Sequence, residues 1–309
     1  MYICRRNIKK KREFVRLGLS IIALTILGAT MFPSLSIATE INAALISDPK
    51  PDFINPARME ALEVPSEGIG MNAVFYLASG AGLHPTMLLL HGTPGNEQNL
   101  DLAQAARRDG WNVLTMHYRG SWGAAGKYSL SNALVDTTAA MDFLRIPENV
   151  AKYHIDVKKL VIAGHSTGGY NAASYAAKDH RIAGVVLIDA WNAAPDVSPP
   201  DRAEFIEYVK KSSQALVLGS PENYVGDFLS RNPLVNLASS LAGVPILIVG
   251  AEKANGAENK ILSDEIAKID RKNLQTFIIE TDHSFSDHRI ELSNIFLNWL
   301  YTIAKVSKK

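Results

Sequence analysis

Three short segments, far apart in the chain, hold the residue types that acyl transfer requires. Gly164-His165-Ser166-Thr167-Gly168-Gly169 places a hydroxyl between glycines, directly after the apolar run Leu160 to Ala163 and ahead of the small-residue stretch Tyr170 to Ser174. A serine on so sharp a strand-to-helix turn is held out from its neighbours, and the tightness of the turn requires flanking positions without side chains. The N-terminus of the following helix adds positive potential where an anionic intermediate would form. The plain alternative is a glycine-rich turn whose serine only caps a helix. Placement after a buried strand favours Ser166 as a nucleophile.

Thr281-Asp282-His283-Ser284-Phe285 lies between the last predicted strand and the last predicted helix, where an imidazole can reach a serine at the same sheet edge. His283 is therefore the expected general base. His288, about a turn further on, reads as a surface or capping residue. The third segment, His91-Gly92-Thr93-Pro94-Gly95-Asn96, follows the apolar run Leu88 to Leu90. Its value lies in bare backbone amides, and His91 reads as a brace for that loop rather than as a base.

The elements that must position these residues are legible as alternating β-rich and helical patterns, an α/β arrangement with a mostly parallel central sheet flanked by helices. Strands are expected at 72–78, 86–90, 112–117, 160–163, 184–188, 245–249 and 275–279, and helices at 97–108, 131–144, 168–178, 259–269 and 289–304. Between 190 and 242 roughly 50 residues lack a good strand, far more than the usual connection in such folds. The patterns at 202–211 and 224–231 are helical, so this is read as a helical insertion forming a lid or pocket wall before the strand carrying the acid. Tyr118, Trp122 and Trp191 fall near strand ends and serve equally as pocket wall or as core.

The N-terminus reads differently. A basic block from Arg5 to Arg16 precedes an apolar run from Leu17 to Phe32, too short for a membrane span of about 20 residues. Ser36-Ile37-Ala38 then offers a small-residue cleavage site. Residues 1–38 are expected to be a signal peptide, with an N-terminal anchor as the alternative, and membrane contact is expected only if the segment stays uncleaved. The protein is thus expected outside the cytoplasm, periplasmic or secreted. Residues 39–67, with Pro49, Pro51 and Pro56, read as a linker or arm, leaving 68–309 as the main domain. Cys4 is the only cysteine, so the exported part has neither disulfide nor cysteine nucleophile. Lys plus Arg (32) nearly balances Asp plus Glu (31), giving no footprint of a nucleic-acid binder. No ligand pair at metal spacing and no phosphate loop is present, so no cofactor is expected.

Taken together, the serine turn, the histidine loop, His91-Gly92 and His117-Tyr118-Arg119-Gly120-Ser121-Trp122-Gly123 resemble the α/β-hydrolase superfamily. More narrowly they resemble its prolyl-oligopeptidase-like and dienelactone-hydrolase-like esterase branch, over about Met71 to Lys305. The resemblance implies a serine hydrolase with the α/β-hydrolase fold, with backbone N–H groups of Thr93 and Thr167 as the oxyanion hole. It also implies an acid three residues past Gly250, where Lys253 stands instead. Glu252 is the neighbouring carboxylate and the first expectation for the triad acid; Asp189, ending the preceding strand, is the alternative, with capping of the insertion's first turn as its structural reading. The expected substrate is a small or medium acyl ester. A peptidase or amidase of the same fold, or a catalytically silent binding protein that kept the fold, are the competing functions.

Overall fold

The apolar runs become neighbours in one eight-stranded sheet. The computed structural model describes residues 40–193 and 198–305; the expected signal peptide or anchor at 1–38 lies outside them. In chain order the strands are β1 (Arg58–Ser66), β2 (Ile69–Leu77), β3 (His84–Leu90), β4 (Asn112–Met116), β5 (Ile155–His165), β6 (Gly184–Ile188), β7 (Ile246–Ala251) and β8 (Leu274–Ile279). Their order across the sheet is β1-β2-β4-β3-β5-β6-β7-β8, with the β1–β2 and β2–β4 pairs antiparallel and the other neighbours parallel.

Side-chain alternation along each central strand feeds two separate cores. Leu88, Leu90, Ile162, Val185, Leu187 and Ile248 pack toward α2 (Leu130–Phe143), α4 (Thr167–Ala176) and α8 (Gly256–Asp270). Met87, Leu89, Val161, Ala163, Val186, Ile188 and Val249 face α1 (Leu100–Arg108) and α9 (Arg289–Lys305). Burial on both faces is why these strands read as continuous apolar runs rather than as alternating ones.

The expected linker at 39–67 is corrected in its last third, where residues 58–66 form β1. Only one face of this edge strand is covered, and its sequence is correspondingly polar: Glu60 and Leu62 are half-buried, Val64 and Ser66 buried, while Met59, Ala61, Glu63 and Pro65 face solvent. The two-residue turn Glu67-Gly68, both at positive φ, closes the hairpin with β2. A short α3 (Pro147–Tyr153) was also outside the expected helices. None of the helices among the described residues is long and apolar enough to cross a membrane.

Arg119 and Asp136 tie this hairpin to the body. Asp136, fully buried on α2, accepts from Ser66 Oγ (2.7 Å), the Arg119 amide (2.9 Å) and Arg119 Nε (2.6 Å), while Arg119 Nη1 reaches Glu67 (2.7 Å). Asp136→Ala would strand a buried guanidinium and two further donors. Breaking a buried pair in this way costs about 3–5 kcal/mol, and the surviving Glu67 contact places the expected loss near the lower end. Urea unfolding should show a lower midpoint at an unchanged slope.

The insertion after β6 contains α5 (Pro199–Ser212), α6 (Pro221–Leu229), a 3-10 turn at Leu234–Leu237 and α7 (Ala238–Leu241). Both α5 and α6 begin three residues before the apolar pattern suggests, because Ser198 and Ser220 act as N-caps ahead of prolines at the first helical positions.

Candidate active site

The sheet order sets the site. Loops after β3, β5, β6 and β8 open at the carboxyl edge, the usual ligand-binding edge of such a sheet. The β3 loop lies on one side of Ser166 and the β6 end on the other. Ser166 joins β5 to α4 with φ 56° and ψ −123°, a left-handed conformation that a residue with a Cβ adopts only under strain. Its amide donates to Ile188 O (3.0 Å) and its carbonyl accepts from the Trp191 amide (2.8 Å), so the turn is locked to the end of β6. A Cβ on Gly168 would lie 2.5 Å from His91 O and 2.6 Å from Leu90 O, which is the close approach that requires glycine there. One on Gly92 would lie 3.2 Å from Ser166 Oγ, which fixes the β3 loop against the serine.

The carboxylate that meets His283 is Asp189, and Glu252 does not. Asp189 follows β6 at φ 38°, is fully buried, and is hydrogen-bonded through Oδ2 to His283 Nδ1. Its carboxylate also accepts the amides of Ala251 (2.8 Å) and Asn255 (3.2 Å), at the end of β7 and the start of α8. Asn255 Nδ2 donates to the Asp189 carbonyl (3.0 Å). Rather than capping the insertion, Asp189 is itself capped, with α8's N-terminal dipole directed at it. Glu252 sits one strand further from Ser166, exposed, with its amide committed to Ile279 O. The expectation that Glu252 partners His283 is corrected for that reason.

His165 was not singled out in the sequence, although it stands beside the serine in the motif. Its Nε2 donates to His283 O (2.8 Å), and the two rings lie 4.4 Å apart between centroids. It thus ties the loop that carries His283 back to the residue preceding Ser166. Among the described residues no hydrogen bond joins Ser166 Oγ to the His283 ring, a bond that often tightens only when substrate arrives. His288 pairs instead with Asp287 (2.8 Å).

Thr93 and Thr167, the expected oxyanion residues, are brought together: their hydroxyl oxygens are 2.9 Å apart. Among the described residues neither backbone N–H has an acceptor, as donors reserved for a ligand would require. Of the three aromatics, Tyr118 is core, fully buried and donating to His91 O (3.3 Å). Trp122 is exposed and donates to Pro94 O (2.7 Å), while Trp191 is half-buried against Tyr170 and Phe228.

A family model described as the alpha/beta hydrolase fold matches residues 85–252, from β3 through the Ser166 turn to the end of β7. The chain belongs to this family. Solved alpha/beta hydrolases share its fold at low identity. The esterase Pf2001 of Pyrococcus furiosus has a TM-score of 0.59 at 14% identity, over 83% of this chain and 99% of its own. EstE1, a thermostable carboxylesterase cloned from a metagenomic library, gives 0.60 at 19%, over 81% and 90%. A putative dienelactone hydrolase from Klebsiella pneumoniae gives 0.57 at 15%, over 81% and 100%. No curated protein matches the sequence.

Two histidines of this alpha/beta hydrolase are held neutral by burial. Desolvation pushes His91 down to about 4 and His165 down to about 3, each from an ordinary value of 6.5. His91 Nδ1 donates to Gly92 O (2.7 Å), which suits a neutral loop brace. The unfolded chain binds protons at both positions near pH 6.5 and the folded chain does not, so stability falls as pH drops from about 6.5 toward 4. By pH 5 each histidine contributes a loss of about 2 kcal/mol. His91→Asn, which keeps a donor for Gly92 O, should remove His91's share of that fall, measured as Tm at pH 7 and pH 5.

Proposed function

We propose that this protein is an exported serine hydrolase, a carboxylesterase that cleaves small or medium acyl esters through an acyl-enzyme on Ser166. The observation that carries the reading is the buried, amide-anchored carboxylate of Asp189 on His283 Nδ1, at the same sheet edge as a strained serine. Asp189 holds the imidazole in the tautomer that leaves Nε2 free to accept a proton and offsets the imidazolium charge that forms. His283 Nε2 takes the Ser166 proton as Oγ attacks the substrate carbonyl. The Thr93 and Thr167 amides stabilise the tetrahedral oxyanion. His283 then protonates the leaving alcohol, and water, deprotonated by the same imidazole, releases the acid.

Fold neighbours that are an esterase and a carboxylesterase support ester over peptide substrates. The pairing of His283 with Asp189 weighs against a silent binding protein, since Lys253 no longer deprives the imidazole of a carboxylate. Export rests on the N-terminal basic and apolar pattern alone. The test is a fluorophosphonate probe on the folded protein, with the labelled peptide mapped, beside a panel of p-nitrophenyl esters and aminoacyl p-nitroanilides. The expected result is one label on Ser166 and turnover of short acyl esters. Folded protein that takes no label overturns the serine reading, and anilides turned over faster than esters move it to a peptidase.

A further inference from the structure

The oxyanion residues belong to a largely buried chain of hydroxyls that begins outside both of their loops. Tyr128 precedes the N-cap of α2 and is 2% exposed. Its hydroxyl is hydrogen-bonded to Thr93 Oγ1, which is bonded in turn to Thr167 Oγ1 at 2.9 Å. Three connections, after β3, after β4 and at the nucleophile turn, are thereby joined side chain to side chain. Thr93 needs such support because it sits in a loop with its amide uncommitted, so nothing in its own backbone pairing fixes the direction of that N–H.

Tyr128 is itself held by the insertion. Its amide donates to Val217 O (2.9 Å), Val217 N donates to Gly120 O (2.7 Å), and Trp122 N donates to Ala215 O (2.8 Å). Leu216 and Leu218 make isolated β-bridges to Ser121 and Tyr128. The Tyr224 ring of α6 lies 6.1 Å from that of Tyr128. Residues 215–218 therefore grip both ends of the loop that carries this tyrosine.

Resting on the serine-hydrolase reading, we infer that Tyr128 is a positioning residue that aims the Thr93 and Thr167 amides at the transition-state oxyanion, and that the insertion's 215–218 segment is its mount. A buried tyrosine needs a partner for its hydroxyl in any case. What sets this one apart is that the partner is the side chain of an oxyanion residue. Loss of an oxyanion donor costs about 100- to 1,000-fold in kcat; misaiming without loss should cost about 10-fold.

The test is Tyr128→Phe, assayed with p-nitrophenyl butyrate and with an aryl trifluoromethyl ketone that forms a tetrahedral adduct on serine. The expected result is a kcat about 10-fold lower, KM within about threefold, and ketone affinity weakened by the same factor as kcat. Thr93→Val should reproduce this and Thr93→Ser, which restores the hydroxyl, should recover most of the kcat that Thr93→Val loses, while the Val/Phe double variant is no worse than Thr93→Val alone, because both break one chain. If Tyr128→Phe does not fold, Thr93→Val against Thr93→Ser decides the same point. Unchanged kcat, or a fall in Tm with unchanged ketone affinity, overturns the inference alone. Wild-type protein that neither turns over ester nor takes the probe overturns the hydrolase reading and this inference with it.

Discussion

Ser166→Ala is expected to lower kcat for a p-nitrophenyl ester by about a million-fold, the cost of removing a nucleophile whose base and acid remain in place. Alanine keeps the Cβ, so the strained turn is retained and the fold should be unaffected. Ser166→Gly separates chemistry from strain. At φ 56° the Cβ costs roughly 1–2 kcal/mol, and glycine removes that cost while also removing the hydroxyl. The glycine variant should therefore be as inactive as the alanine one yet more stable to urea than wild type, by about 1 kcal/mol after glycine's extra unfolded-state entropy. Residual activity above one per cent in either variant, with no contaminating wild type, would remove Ser166 from the mechanism. An alanine variant more stable than the glycine one would remove the strain argument.

Local patterns made most of this legible in advance. The central strands are apolar on both faces, so their runs stand out, and the Gly164–Gly169 turn is contiguous in sequence. His283 could be found because one short loop joins β8 to α9. What escaped was decided by geometry between segments. β1 is an edge strand with one covered face, so its pattern is polar and punctuated by proline. The choice between Asp189 and Glu252 depends on where the amides of Ala251 and Asn255 point, and backbone direction leaves no mark on residue type. His165 carried a signal in its place beside the serine, but its bond to the His283 carbonyl spans 118 residues. Thr93, Tyr128 and Thr167 are likewise joined only in three dimensions.

Asp189→Asn is expected to lower kcat by about four orders of magnitude, and Glu252→Gln to leave it within threefold. The amides of Ala251 and Asn255 both point at the Asp189 side chain and require an acceptor. An asparagine there must turn its carbonyl oxygen toward them, which presents its NH₂ to His283 Nδ1. That nitrogen then has to accept, so the ring proton moves to Nε2, the atom that should receive the Ser166 proton. The base is blocked with its geometry intact, which is the reason so small a change costs about 10⁴ in such triads. Glu252 makes no contact with the imidazole and faces solvent, so its neutralisation touches neither the tautomer nor the charge balance of the ring. The pair of variants divides the two carboxylates cleanly. Circular dichroism and urea midpoints should show both folded, and a Glu252→Gln variant reduced a thousand-fold beside an active Asp189→Asn would mean that His283 takes its orientation from the end of β7 rather than of β6.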